Sequence, residues 1–156
     1  MEKIIIITPH LSTGGCPQFV LKKIELLNDN CEIYCIEYEF ASPHFVVQRN
    51  KIKELITNRF YSLQEHNLQL IDIVNEISPD IIWIEEFSEM FISDKDKKFI
   101  YGKHRTWKIL ESTHTSEDLT LKKLHLPDKF IFVSKHSELM YKELGVSYET
   151  IEYPID

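Results

Sequence analysis

Apolar, β-branched runs alternate along this chain with segments whose apolar residues recur at helical spacing. The first run, Lys3–Thr8, is apolar without alternation, which is typical of a parallel strand covered on both faces. Residues 19–27 then carry apolar side chains on one helical face, and Pro17 suits a first helical turn because its missing N–H would have no partner there. The chain is therefore predicted to begin with a strand, a turn and a helix.

The same alternation continues to the end of the chain. Further strands are predicted at residues 31–37, 44–48, 81–85, 106–111, 130–133 and 149–153. Further helices are predicted over residues 63–77, over residues 94–100, and from Ser134, a good N-cap, to Gly145. Residues 52–60 show helical spacing without clear caps, so their secondary structure is ambiguous from the sequence. Strands alternating with helices predict an α/β fold: a Rossmann-like, doubly wound, mainly parallel sheet with helices on both faces.

Two adjacent glycines, Gly14 and Gly15, stand between the first strand and the first helix. Glycines there let the backbone approach a ligand closely, and the N–H groups of a helix N-terminus favour an anion such as a phosphate. A tight turn that needs positive φ explains the pair equally well. No Gly-Lys-Ser/Thr follows, and no third glycine stands three positions after Gly15, so neither the Walker loop nor the dinucleotide fingerprint is present.

Length and charge narrow the class of protein. The 156 residues are expected to form one domain, and the net charge of -7 argues against nucleic acid as a partner. The apolar runs are far shorter than a membrane span and the N-terminus has no signal-peptide layout, so a cytoplasmic location is expected. The three cysteines form no Cys-x-x-Cys motif and are expected to be free thiols.

Basic residues are concentrated in one stretch of the chain. They are Lys95, Lys97, Lys98, Lys103, His104, Arg105 and Lys108, followed by Lys122, Lys123 and His125. A solvated face is the expected explanation. The alternative is a docking surface for an anionic acceptor or an acidic membrane.

Separated motifs occur along the chain in a distinctive order. The first is the turn at residues 9–15, and the second is a helix end, Pro-Asp and a strand at residues 78–84. The third is a strand that ends in a loop histidine, at residues 112–114. The last comprises a strand, a serine and a helix from residue 132, and a short strand that runs into Pro154-Ile155-Asp156.

In this order the motifs resemble the N-terminal domain of GT-B fold glycosyltransferases, a group that includes sucrose and glycogen synthases and many bacterial retaining enzymes. The resemblance covers essentially the whole chain. Two departures stand out. Asn-Gly is missing between Pro154 and Ile155, and Cys16-Pro17-Gln18 stands where many relatives have Ala-Glu-Arg.

The resemblance implies one half of a GT-B fold. In the family, a second, C-terminal domain holds most of the sugar nucleotide through two glutamates at a fixed spacing, and no glutamate pair in this chain has that spacing. The chain would then be the acceptor-side domain of a hexosyltransferase that transfers a sugar from a nucleotide-sugar donor to a glycan or other acceptor. The donor domain would lie in cis or on a partner chain. The isolated domain is expected to be inactive and to bind UDP- or GDP-sugars weakly.

The resemblance also implies site residues. Gly14 and Gly15 would line the cleft near the donor diphosphate. His114 would lie near the reacting sugar, where an imidazole could donate to a hydroxyl or steady the charge of the leaving group. The expected acceptor or cleft-lining residues are His10, Glu111, Asp118, Ser134 and Lys135. Each also has a structural explanation, as a capping group, a solvated charge or a packed histidine.

Other chemistries find less support in the sequence. The seven histidines lack the i, i+4 pairing of metal ligands, and the family works without a bound metal or a cofactor besides the nucleotide-sugar substrate. No nucleophile elbow is present. The competing hypothesis is a non-catalytic subunit, or a Rossmann-like binding or scaffold domain, that works with a separate partner chain, since fold alone does not fix function.

Overall fold

Seven strands form one parallel sheet in the computed structural model of this chain, which describes residues 1–11, 15–39, 47–113, 123–132, 139 and 145–151. The strands are β1 (Lys3–Thr8), β2 (Glu32–Glu37), β3 (Phe60–Ser62), β4 (Ile81–Glu85), β5 (Lys108–Thr113), β6 (Lys129–Phe132) and β7 (Ser147–Thr150). Their order is β3-β2-β1-β4-β5-β6-β7, and every neighbouring pair is parallel. The predicted α/β fold with a Rossmann-like, doubly wound sheet is confirmed.

Helices cover both faces of this sheet. They are α1 (Gly15–Leu27), α2 (Val47–Ile56), α3 (Leu63–His66), α4 (Leu70–Ile77), α5 (Ser88–Phe91) and α6 (Asp94–Ile100). One face packs against α1 and α2, in a core that contains Ile4 and Ile6. The other face packs against α4 and α6, in a core that contains Ile5 and Ile7. Successive side chains of a strand point to opposite faces, so burial on both faces explains why β1 is apolar without alternation.

The direction in which the chain crosses the sheet changes at β1. The chain goes from β1 through α1 to β2 on one side, whereas β4 pairs with β1 on the other side. In open α/β sheets, ligands bind outside the carboxyl ends of the strands at such a topological switch point. Gly15 is the first residue of α1, so the N-terminus of this helix follows the carboxyl end of β1.

The segment between β2 and β4 departs from its prediction. The strand predicted at residues 44–48 is wrong for Val47 and Gln48, which open α2, and its other residues lie outside the described part. Beyond β1, the neighbour of β2 is β3, a strand of three residues that follows a 3-10 turn. The helix predicted over residues 63–77 is divided into α3 and α4, because Asn67 takes a left-handed conformation (φ 52°) and ends α3.

Smaller differences occur nearer the C-terminus. Ser112 and Thr113 belong to β5 rather than to the polar loop predicted there, and β7 covers Ser147–Thr150 rather than residues 149–153. The helix predicted after Ser134 falls almost wholly outside the described residues. Gly145, at its predicted end, has a φ of 74°, which suits a glycine after a helix.

The described residues also show the state of two cysteines and whether any helix could span a membrane. Cys31 and Cys35 are free thiols, as predicted, and both pack into the core beneath α1 and α2. None of the described helices has the length and apolar character needed to cross a membrane.

Candidate functional site

A row of buried polar residues crosses five strands at the carboxyl edge of the sheet. The row consists of Ser62, Glu37, Thr8, Glu85 and Ser112, on β3, β2, β1, β4 and β5. Ser62 is in register with Glu37, Glu37 with Thr8, and Glu85 with Ser112. Glu85 comes level with Thr8 because Ile84 is the partner of Ile7. This polar row lies inside the protein beside the switch point, on the face that α1 and α2 cover.

Glu85 is neutralised by a lysine of α1. Lys23 forms an ion pair with the Glu85 carboxylate, and the side chains are 6% and 0% exposed. The Lys23 ammonium also lies 3.5 Å from the ring centre of Trp83, a cation–π distance. Trp83 in turn donates its indole N–H to Ser112 Oγ at 2.7 Å. The ion pair and the contacts of Trp83 therefore join α1, β4 and β5 at this edge of the sheet.

Glu37 is neutralised in the same way at the end of β2. Arg49 Nε donates to Glu37 Oε2 at 2.9 Å, and an Arg49 terminal nitrogen donates to Glu37 Oε1 at 3.1 Å. Ser62 Oγ donates to the same Oε1 at 2.8 Å, and Arg49 also pairs with Glu65. In dinucleotide-binding folds, an acidic residue about 20 positions after the glycine turn binds a ribose hydroxyl. Glu37 stands there, but its carboxylate is buried and occupied, which argues against a dinucleotide.

Glu111 lies on the opposite face of the sheet, in a second buried ionic group. Lys123 Nζ donates to Glu111 Oε1 at 2.9 Å, and the hydroxyl of Tyr101 donates to the same oxygen. Burial raises the pKa of Glu111 to about 7, against the opposing effects of Lys123 and Tyr101. Burial and the Glu111 charge raise the pKa of Tyr101 well above its usual value. Among the expected cleft-lining residues, Glu111 is thus found inside the protein rather than on a solvated loop.

Glu89 of α5 completes this group. Its Oε1 accepts from Lys123 Nζ at 2.5 Å, and its Oε2 accepts from the backbone N–H groups of Leu124 and His125 at 3.2 and 3.0 Å. Burial opposes ionisation of Glu89, but the hydrogen bond and charge of Lys123 outweigh it and hold the pKa below its usual value. One carboxylate therefore fixes both a lysine side chain and the backbone that follows it.

Glu86 is a candidate that the sequence did not reveal. It follows β4 at the switch point, takes a left-handed conformation with a φ of 73°, and is buried. Its backbone N–H donates to the Ser112 carbonyl at 2.8 Å. A non-glycine residue pays roughly 1–2 kcal/mol for this conformation, and such strain is concentrated at functional sites. Nothing in the residue type or its neighbours signals the backbone angle.

The sequence-predicted site residues divide into two groups. His10 is half-buried just past β1, with its carbonyl accepting from Thr8 Oγ1 at 3.4 Å, and Gly15 opens α1. Both therefore border the switch point, whereas Glu111 lies on β5, with β4 between it and β1. The remaining predicted residues lie outside the described part of the chain: Gly14, His114, Asp118, Ser134 and Lys135.

No protein-family model and no curated protein matches this chain. The chemistry of the site therefore follows from its own geometry. Within the described residues, no three His, Cys, Asp or Glu side chains are grouped so that they could hold a metal ion. Glu37 and Glu85 are almost fully buried and each contacts a cation, so they join the strands and helices beside the switch point rather than exchange protons with a ligand.

The basic stretch does not form one uniform face. Lys97 is buried and pairs with Asp94 at 3.3 Å, and Arg105 donates to both oxygens of Asp128. Lys123 is buried between Glu89 and Glu111, so the expectation of a solvated lysine is wrong there. The exposed members among the described residues are Lys95, Lys98, Lys103, His104 and Lys108.

Proposed function

We propose that this chain is the acceptor-side half of a GT-B glycosyltransferase, which transfers a sugar from a nucleotide-sugar donor to a glycan or other acceptor. A second domain, in cis or on a partner chain, supplies most contacts to the donor. The observation that carries the proposal is the parallel sheet with its switch point between β1 and β4. His10 follows β1 and Gly15 opens α1, so both border that point, as the position of the glycine turn in the sequence predicts.

The state of the carboxylates supports a binding role for this half. Glu37 and Glu85 are buried ion-pair members beside the switch point, so neither would repel an anionic ligand there as an unpaired carboxylate would. The occupied Glu37 also favours a sugar-containing ligand held elsewhere over a dinucleotide held along β2.

The same charge balance favours the second candidate as well. A binding or scaffold subunit needs a shaped surface and no reactive acid–base pair, and Glu37, Glu85 and Glu111 each contact a cation. The two candidates differ in one consequence. A transferase half must bind a nucleotide sugar at the switch point, whereas a scaffold need not.

NMR titration of the isotope-labelled chain with UDP-glucose and GDP-mannose tests the proposal. We expect shift changes at the backbone amides of His10, Gly15 and Glu86, with dissociation constants of about 1 mM or weaker because most donor contacts lie on the other domain. NAD serves as the matched control and should leave these amides unchanged. Absence of any response at the three amides would overturn the transferase proposal in favour of the scaffold. Micromolar binding would overturn the division of donor contacts between two domains.

A further inference from the structure

A buried cluster on the second face of the sheet has no part in the proposed sugar transfer. We call it the Lys123 cluster. Its members are Ser88, Glu89, Tyr101, Glu111, Lys123 and His125. They come from α5, from the residue after α6, from β5 and from the segment that leads into β6. The cluster therefore connects four separate parts of the chain.

Among the described residues, the charges of this cluster do not balance. Two carboxylates, Glu89 and Glu111, share one ammonium group, that of Lys123, whose side chain is fully buried. Lys123 also donates weakly to Ser88 Oγ at 3.4 Å. With both carboxylates ionised, one negative charge remains in a medium of low dielectric constant, where an unbalanced charge is costly. The cluster can remove that charge by binding a proton or by opening to water.

We propose that the Lys123 cluster is a proton-dependent clamp that holds the backbone at Leu124 and His125 when one carboxylate is protonated and loosens when both are ionised. The clamped groups are defined by geometry, since Glu89 Oε2 accepts from both backbone N–H groups. Because Lys123 bridges Glu89 to Glu111, a change at β5 is transmitted to the segment that leads into β6.

Glu111 is the carboxyl group that holds the proton. It is buried more deeply than Glu89. Its Oε1 accepts from Tyr101 and Lys123, but its Oε2 is buried with no hydrogen-bond partner among the described residues, which disfavours the ionised form. Glu89 instead accepts two backbone N–H groups in addition to Lys123, which favours its ionised form. The pKa values follow the same division, raised to about 7 for Glu111 and lowered for Glu89.

In the part of the chain that the structure describes, His125 is the remaining ionisable group that faces the cluster. Its Nδ1 lies 3.6 Å from Glu89 Oε2, and its ring lies 5.1 Å from the Tyr101 ring between centres. A protonated His125 would add positive charge beside Glu89 and would also favour the clamped state at low pH. The test must therefore separate Glu111 from His125.

Amide hydrogen exchange at Leu124 and His125, measured by NMR at pH 5.5 and 8.0 and corrected for intrinsic rates, tests the clamp. The closed state binds the proton more tightly than the open state, so raising the pH must favour opening. A pKa that falls from about 7 to 4.5 on opening changes the opening constant by at most about 300-fold, and by about 25-fold between these two pH values. Protection of the Tyr38 amide, which donates to the Thr8 carbonyl at 2.9 Å, is the internal control and should not follow this change.

Two variants and one direct measurement separate the outcomes. Glu111→Gln should abolish most of the pH dependence, and His125→Gln should keep most of it. A carbon-detected titration of the Glu111 carboxyl in the unmodified chain should show a midpoint near pH 7. A midpoint below about pH 5.5, a change in protection under threefold, or full pH dependence in Glu111→Gln would each overturn the clamp. None of these outcomes depends on sugar transfer, so the clamp and the proposed function fail separately.

Discussion

Replacement of Lys23 by methionine tests the buried ion pair beneath the switch point. Methionine keeps an unbranched apolar stem but removes the charge that pairs with Glu85 and lies over Trp83. Breaking one side of a buried pair costs about 3–5 kcal/mol, because the other charge stays buried without that partner. We therefore expect Lys23→Met to lower the free energy of unfolding by about 4 kcal/mol.

The expected shift in melting temperature follows from the size of the chain. Unfolding entropy is about 2.1 cal/mol/K per residue, so 156 residues contribute about 330 cal/mol/K. A loss of about 4 kcal/mol then lowers the Tm by about 12 °C. Urea titration followed by far-ultraviolet circular dichroism gives the free energy, and a thermal scan of the same samples gives the Tm.

The chain offers a matched control in an exposed ion pair. Lys129 Nζ lies 2.6 Å from Glu149 Oε1, but these side chains are 33% and 59% exposed. Lys129→Met should therefore cost less than about 1 kcal/mol, since water already screens that pair. The double variant Lys23→Met/Glu85→Gln should recover most of the lost stability because it removes both charges. The reasoning is refuted if Lys23→Met stays within 1 kcal/mol of the unmodified chain, or if Lys129→Met costs as much.

Two further predictions concern backbone angles and thiol chemistry. Ser78 ends α4 with a φ of 53°, so Ser78→Gly should raise the free energy of unfolding by about 0.5–1 kcal/mol, whereas Gly145→Ala, at a φ of 74°, should lower it by about 1–2 kcal/mol in the same urea titrations. Equal signs for the two changes would contradict this. Burial raises the pKa of the Cys35 thiol to about 12, so iodoacetamide at pH 8 should modify half-buried Cys31 but not Cys35 until urea is added. Peptide mapping by mass spectrometry measures this, and equal native rates at the two cysteines would be the opposing result.

The central sheet could be predicted from the sequence because burial on both faces leaves a strong signal. β1 and β4 are continuous apolar runs, and the structure has strands at both predicted positions in the sequence, paired with each other in the sheet. α2 and β3 could not be predicted in this way. Val47 is β-branched and favours a strand locally, but Ile52 and Ile56 pack into the core beneath α1 and hold the segment as a helix. A strand of three residues is too short to show a period.

The same distinction applies to the candidate site, where local sequence predicts some features and the packing of distant segments determines the others. The position of His10 and Gly15 at the carboxyl end of β1 could be predicted because both residues closely follow that strand in sequence. The ion pairs could not, since Lys23 and Glu85 meet only through the packing of α1 across β4. Glu111 was predicted as a candidate, but its burial depends on Lys123 and Tyr101, which reach it from other segments. The left-handed angle of Glu86 is a property of the backbone after β4 that its residue type does not encode.

The buried polar row at the carboxyl edge also limits how the strands can be misaligned. A shift of one residue would turn Glu85 toward the core beneath α4 and α6, away from Lys23. A shift of two residues would keep the correct face but would place the carboxylate beside Ile6 of β1 and Leu110 of β5, the present partners of Trp83. Either slippage leaves an ionised group in apolar surroundings, at a cost of several kcal/mol. The buried polar residues beside the switch point therefore disfavour competing alignments of a sheet whose isoleucine-rich strands would otherwise tolerate several.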